Sequence, residues 1–158
     1  MIDYNSGTTP DLPMKWHKFI SYFALWAGAL YNLGQAGLFM SGQHYGSESQ
    51  RDLVYQVYDG LKTVDMIGAL GYAFVAIFAI YTAIQLIKLK QNAPKKLMAL
   101  YIITTAVPII YILMASSSTG MPTADLVDNS IYTSVAGCAF GLIVCKIYYD
   151  KRAHMFVN

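Results

Sequence analysis

The chain has 158 residues, 56% of them hydrophobic and 13% charged, with a mean hydropathy of +0.40. That is too apolar for a water-soluble domain of this length, so a single integral membrane domain is expected. Its net charge of +2 is small and bears on topology, not on nucleic acid.

In chain order, the first dozen residues, with Gly7 and Pro10, read as a flexible lead continuing to Pro13. "MIDYNSGTTPDLPMKWHKF" has no basic region directly before a short apolar core, so the first apolar run is expected to remain as a helix. Spans are predicted at about 18–41, 64–87, 96–115 and 128–148, each close to the roughly 20 residues a bilayer crossing needs. Trp16, Phe19 and Tyr22 would anchor the first at one interface. At 100° per residue, Ser21, Gly28, Asn32, Gln35 and Phe39 form one stripe, while Gly34, Gly37 and Ser41 lie on a second face suited to a contact with another helix.

The loop after the first span predicts a short interfacial helix from Ser49 to Tyr58, with Leu53, Val57 and both tyrosines toward lipid and Gly60 as its stop. His44, Glu48 and Asp52 would share a face only if 44–52 were helical, and Gly46 argues against that, so no metal site is expected. In the second span Asp65, Ala69, Tyr72, Ala76, Ala79 and Ala83 point inward, with Asp65 near the headgroups. "KLKQNAPKK" is a tight turn with Asn92 as cap and Pro94 in the first turn of the third span. There Tyr101, Thr104, Pro108 and Tyr111 share a face, and Pro108 predicts a kink. In the fourth span Ser130, Thr133, Ser134, Gly137, Gly141 and Tyr148 align, and "GCAFG" supplies a Gly-x-x-x-Gly pair.

All Lys and Arg except Arg51 and Lys62 fall on one side of this pattern, from Lys15 and Lys18 through Lys88 to Lys96 and on to Lys146, Lys151 and Arg152. The positive-inside rule places that side, and both termini, in the cytoplasm. Glu48, Asp52, Asp59, Asp65, Asp125 and Asp128 fall on the other. Cys138 and Cys145 are about 10 Å apart along one helix, beyond disulfide reach. The 13 tyrosines fall mostly at interface depth, where anchoring accounts for them.

The expected architecture is all-α, an up-down-up-down bundle of four membrane helices with cytoplasmic termini. Gly28, Gly34, Gly37, Gly137 and Gly141 are its expected helix-packing residues. Asn32, Gln35, Asp65, Tyr72, Thr104, Tyr111 and Ser134 are the candidate polar core. Two readings of that core stand open. It is inter-helix hydrogen bonding, or it is an outward-side pocket for a small solute or lipid ligand. No span carries an ionised side chain at mid-depth, which disfavours an ion-coupled carrier. No Cys-x-x-Cys is present, and no nucleophile, base or ligand triad can be placed at one depth, so no enzyme and no cofactor is expected.

"LPMKWHKFISYFALWAGAL" resembles the start of a group of small polytopic membrane proteins of Gram-positive anaerobic bacteria. That resemblance covers the first span and its approach, and implies a bacterial inner membrane without an activity. The expectation is a non-enzymatic structural or interaction protein in contact with the bilayer, pairing with a second copy or a membrane partner. The alternative is a ligand-binding protein, transporter or channel.

Overall fold

The computed structural model describes residues 13–127 and 129–156; the lead through residue 12 and Asp128 lie outside the described residues. Within them the chain is helical, with no strand. Helix α1 (Lys15–Phe19) runs through a π-helical turn (Ile20–Ala24) into α2 (Leu25–Ser41). After these come α3 (Glu48–Val57), α4 (Leu61–Ile87), α5 (Ala93–Thr119), the single turn α6 (Thr123–Leu126) and α7 (Asn129–Asp150).

Helices α4, α5 and α7 are each long and apolar enough to cross a membrane. Helix α2 by itself has 17 residues, about 26 Å at ~1.5 Å per residue. Right-handed helical dihedrals nevertheless continue through Phe19, Ile20, Ala24 and Leu25, so residues 15–41 form one continuous helical run.

Glycine ends several of these helices. Gly42 at φ 68° closes α2 and Gly120 at φ 71° closes α5, a left-handed backbone that glycine adopts without a Cβ penalty. Because such caps lie beyond the apolar cores, α4 and α5 extend past the predicted spans, to Leu61 and to Thr119. Pro94 occupies the first turn of α5, as expected, although the Asn92 side chain makes no capping bond. Helix α5 passes through Pro108 without interruption, and the neighbouring Thr105 hydroxyl donates to the Tyr101 carbonyl at 3.1 Å.

The predicted interfacial helix is α3, started by a reciprocal Ser47–Gln50 capping box. Leu53 and Val57 are exposed as expected, but Tyr55 and Tyr58 are half-buried and do not face outward. Tyr58 packs with Leu61, Val64 and Ala115. Burying a phenol ring on α4 and α5 keeps its apolar body dry, which the lipid-facing orientation would not need.

Successive long helices pack side by side, α2 on α4, α4 on α5 and α5 on α7. On α4 the seam is the predicted one, with Ala69, Ala76, Ala79 and Ala83 all buried. Small side chains there let backbones approach, which supplies the van der Waals contact that holds helices together in lipid. Helices α2 and α7 do not pack along their length. It is α1 that meets α7, at the basic end, where the His17 backbone N–H donates to the Tyr148 hydroxyl at 3.2 Å and the His17 Nδ1 lies 3.3 Å from the Tyr149 hydroxyl.

The glycine assignments divide accordingly. At Gly141 an added Cβ would come within 2.9 Å of the Tyr101 ring, but at Gly28, Gly34, Gly37 and Gly137 it would meet nothing within 4 Å. Four of the five expected packing glycines therefore pack on no neighbour. Ser130, Thr133, Ser134 and Gly137 are exposed, because α7 packs along its length on α5 and its face toward α2 stays open. The tight glycines are on α4, where an added Cβ would lie 3.0 Å from Tyr111 at Gly68 and 3.1 Å from Val107 at Gly71.

Candidate functional site

The predicted polar core separates into two places. At the acidic end, Asp65 on α4 is only 1% exposed. Its Oδ1 accepts from the Tyr111 hydroxyl at 2.9 Å and the Tyr45 hydroxyl at 3.3 Å, and its Oδ2 accepts from Tyr55 at 2.8 Å. His44 Nε2 approaches the same carboxylate at 3.7 Å. Asp65, expected within an outward-side polar core, is thus found buried and already paired. Three phenols satisfy the carboxylate, and such hydrogen bonding is what allows a charge to be buried.

Local structure brings those donors in. Gly42 turns the chain out of α2 into a 3-10 turn, Gln43–Tyr45, which carries His44 and Tyr45 back over the helix ends. The Phe39 ring stacks on His44 at 4.5 Å and meets Tyr111 edge-on at 4.7 Å. Tyr72 packs its ring on Phe39 at 5.2 Å. Burial pushes the Tyr45 phenol up to about 12, with the Asp65 charge adding to the effect, and raises Tyr55 for the same two reasons. Both remain proton donors at neutral pH. The cage is closed and already paired.

Beside it lies an open groove of about 540 Å³, lined by Ser41, Gly42, Arg51, Tyr55 and Lys62 among others. The Arg51 guanidinium is held by Asp52 at 2.9 Å and by the Ser41 carbonyl at 3.3 Å. Among the described residues no group of three or more His, Cys, Asp or Glu is placed to hold a metal ion.

The second place is a cleft of about 410 Å³ between α2 and α7, backed by α4 and α5. Asn32, Thr104, Thr105 and Ser134 line it with Gly28 and Gly137, above an apolar floor that includes Ile20 and Leu97. The Asn32 Nδ2 donates to the Gly28 carbonyl of its own helix at 2.7 Å. Among the described residues Asn32 and Gln35 make no hydrogen bond to another helix. The inter-helix hydrogen bonding that was one reading of the polar core is therefore not made by Asn32 or Gln35 to Tyr72, Tyr111 or Ser134. Tyr111 is committed to Asp65, and α7 stands too far from α2 for Ser134 to be reached.

Two features of the cleft were hidden in the sequence. The π-helical turn at Ile20–Ala24 forms part of its floor, and Cys138 on its wall donates its thiol to the Tyr101 carbonyl at 3.5 Å. The π turn lets the Trp26 indole reach the Ser21 carbonyl at 3.2 Å, and such turns occur often at functional sites. The convergence of His44, Tyr45 and Tyr55 on Asp65 was also missed, since they lie 10 to 21 residues from it on a loop and a separate helix. A carboxylate at the edge of an apolar span was the available signal. No known protein family, curated protein or solved structure matches this chain.

Proposed function

We propose that this is a four-span integral protein of a bacterial inner membrane, with both termini in the cytoplasm, which binds a membrane-dissolved ligand between α2 and α7 without catalysing a reaction. Residues 18–41 of the continuous 15–41 helical run supply the fourth span beside the three long apolar helices. The placement of Lys and Arg supports the orientation. One observation carries the binding reading, the cleft of about 410 Å³ in which Gly28 and Gly137 have no protein atom within 4 Å of an added Cβ. Its size falls in the range of about 300 to 1,000 Å³ usual for small-molecule sites. Water in a mostly apolar, laterally open space is unfavourable, so hydrocarbon or a ligand belongs there.

Orientation is tested with single cysteines in a cysteine-free background. Lys90→Cys should be shielded from an impermeant maleimide in intact cells and Ala124→Cys labelled; the reverse pattern refutes the topology. Binding is tested by native mass spectrometry from lipid nanodiscs, where the protein should carry a lipid-mass adduct that Gly137→Phe abolishes by filling the cleft. Equal adducts on both proteins would defeat the binding reading.

A second reading rests on α2, where Gly34 and Gly37 are exposed and open. It makes the protein a structural or interaction element that pairs with a second copy or a membrane partner. Oligomers lost in Gly34→Leu would support it, and an unchanged monomer in wild type and variant would eliminate it.

A further inference from the structure

The cleft differs chemically between its two ends. Toward the basic end its floor is hydrocarbon, from Ile20, Leu97 and Leu100. Toward the acidic end it presents Asn32, Thr104 and Ser134. Serine and threonine in a helix ordinarily donate back to their own backbone four residues earlier. Thr105, also in the cleft lining, does so to Tyr101 at 3.1 Å, and Thr133, one position from Ser134, does so to Asn129 at 2.9 Å. Among the described residues Thr104 and Ser134 make no hydrogen bond at all. The Asn32 amide spends one N–H on Gly28 and keeps its carbonyl oxygen and second N–H for the cleft.

Polar groups at membrane depth need partners, because water is not there to supply them. Three such groups, from α2, α5 and α7, therefore converge on one cleft with hydrogen-bonding capacity that no protein group takes up. No ionised side chain is among the residues lining the cleft, so an ionised headgroup inside it would be buried without compensation.

Resting on the ligand-binding reading above, the geometry points to an uncharged amphiphile as the occupant. It is a hydrocarbon-chain lipid whose hydroxyl or ester oxygens meet Asn32, Thr104 and Ser134 while its chain lies over Ile20, Leu97 and Leu100. A hydroxyl donates to the Asn32 carbonyl oxygen, and an ester carbonyl accepts from Thr104 or Ser134. Helix α7, packed along α5 and tied to α1 at the basic end, leaves the side open through which the chain enters from the bilayer.

The test uses the full-length protein in vesicles of phosphatidylcholine with one of two photoreactive probes sharing the same diazirine-bearing chain. One probe is a monoacylglycerol and the other an alkyl phosphate, ionised at pH 7.5. Peptide mapping should place the monoacylglycerol on the segments around residues 97–105 and 134–138, with the phosphate at least fivefold weaker there. The triple variant Asn32→Leu, Thr104→Val, Ser134→Ala should lower monoacylglycerol labelling by a similar factor. Ser134→Ala, at an exposed position without a hydrogen bond, gives a partial loss and stands in if the triple variant does not fold. Equal labelling of the cleft by both probes, or monoacylglycerol labelling unchanged in the variants, overturns the neutral-head assignment and leaves the cleft reading in place. Labelling confined to lipid-facing positions outside the cleft, with either probe, overturns both.

Discussion

The Tyr111 hydroxyl and the Asp65 carboxylate meet at 2.9 Å and join α5 to α4 at the acidic end. This bond, with those from Tyr45 and Tyr55, ties the loop and α3 to the same carboxylate. Tyr111→Phe removes one charge-assisted bond and should cost about 1.5 to 3 kcal/mol, read as a lower thermal midpoint in detergent. Asp65→Asn should lower it further and open the 43–58 segment to protease. A midpoint unchanged in both variants would mean that the cage does not hold this end.

The glycines make a paired prediction. Gly141→Ala puts a methyl 2.9 Å from the Tyr101 ring and Gly68→Ala one 3.0 Å from Tyr111, so both should destabilise, by about 1 to 3 kcal/mol for overpacking. Gly137→Ala meets nothing within 4 Å and should be neutral or stabilising by up to about 1 kcal/mol from helix propensity. Thermal unfolding of the three proteins checks the order, and Gly137→Ala as the worst of them would contradict the open cleft.

Replacing Asn32 separates binding from packing. Its amide bonds its own helix at 2.7 Å and no other. Asn32→Leu should therefore change ligand-free stability by less than the ~0.6 kcal/mol typical of an inter-helix polar contact. A loss of several kcal/mol on thermal unfolding would return Asn32 to an inter-helix role.

At the basic end His17 is 4% exposed, and burial lowers its affinity for a proton below the usual 6.5, opposed by a hydrogen bond to the Leu86 carbonyl. The unfolded chain then binds more protons than the folded one once pH drops below about 6.5. Stability should be level above that pH and decline below it. His17→Gln should flatten the decline in a pH series of thermal midpoints, and identical profiles would assign the acid sensitivity to another group.

Composition and periodicity determined a good deal of this protein. The all-helical class, the long apolar helices, the buried alanine seam of α4 and the inward stripe from Ser21 to Phe39 all follow from residue-by-residue hydropathy at helical spacing, which is local information. The α3 segment was legible too, because Leu53, Val57 and Gly60 lie within it or just after it in sequence, although its Ser47–Gln50 start was not read. Tertiary structure alone decided which inward faces find a partner. A stripe shows that a face differs from lipid, and it does not show whether the next helix arrives. Asp65 and Tyr111 appeared in one cluster with Asn32 and Ser134, since depth and facing were all the sequence could rank. The Gly42 turn brings Tyr45 and His44 over Asp65, while α7 rests on α5 and leaves Asn32 and Ser134 facing each other across open space. Helix spacing is a sum over contacts far apart in the chain, and so a closed cage and an open cleft could carry the same pattern of small and polar residues.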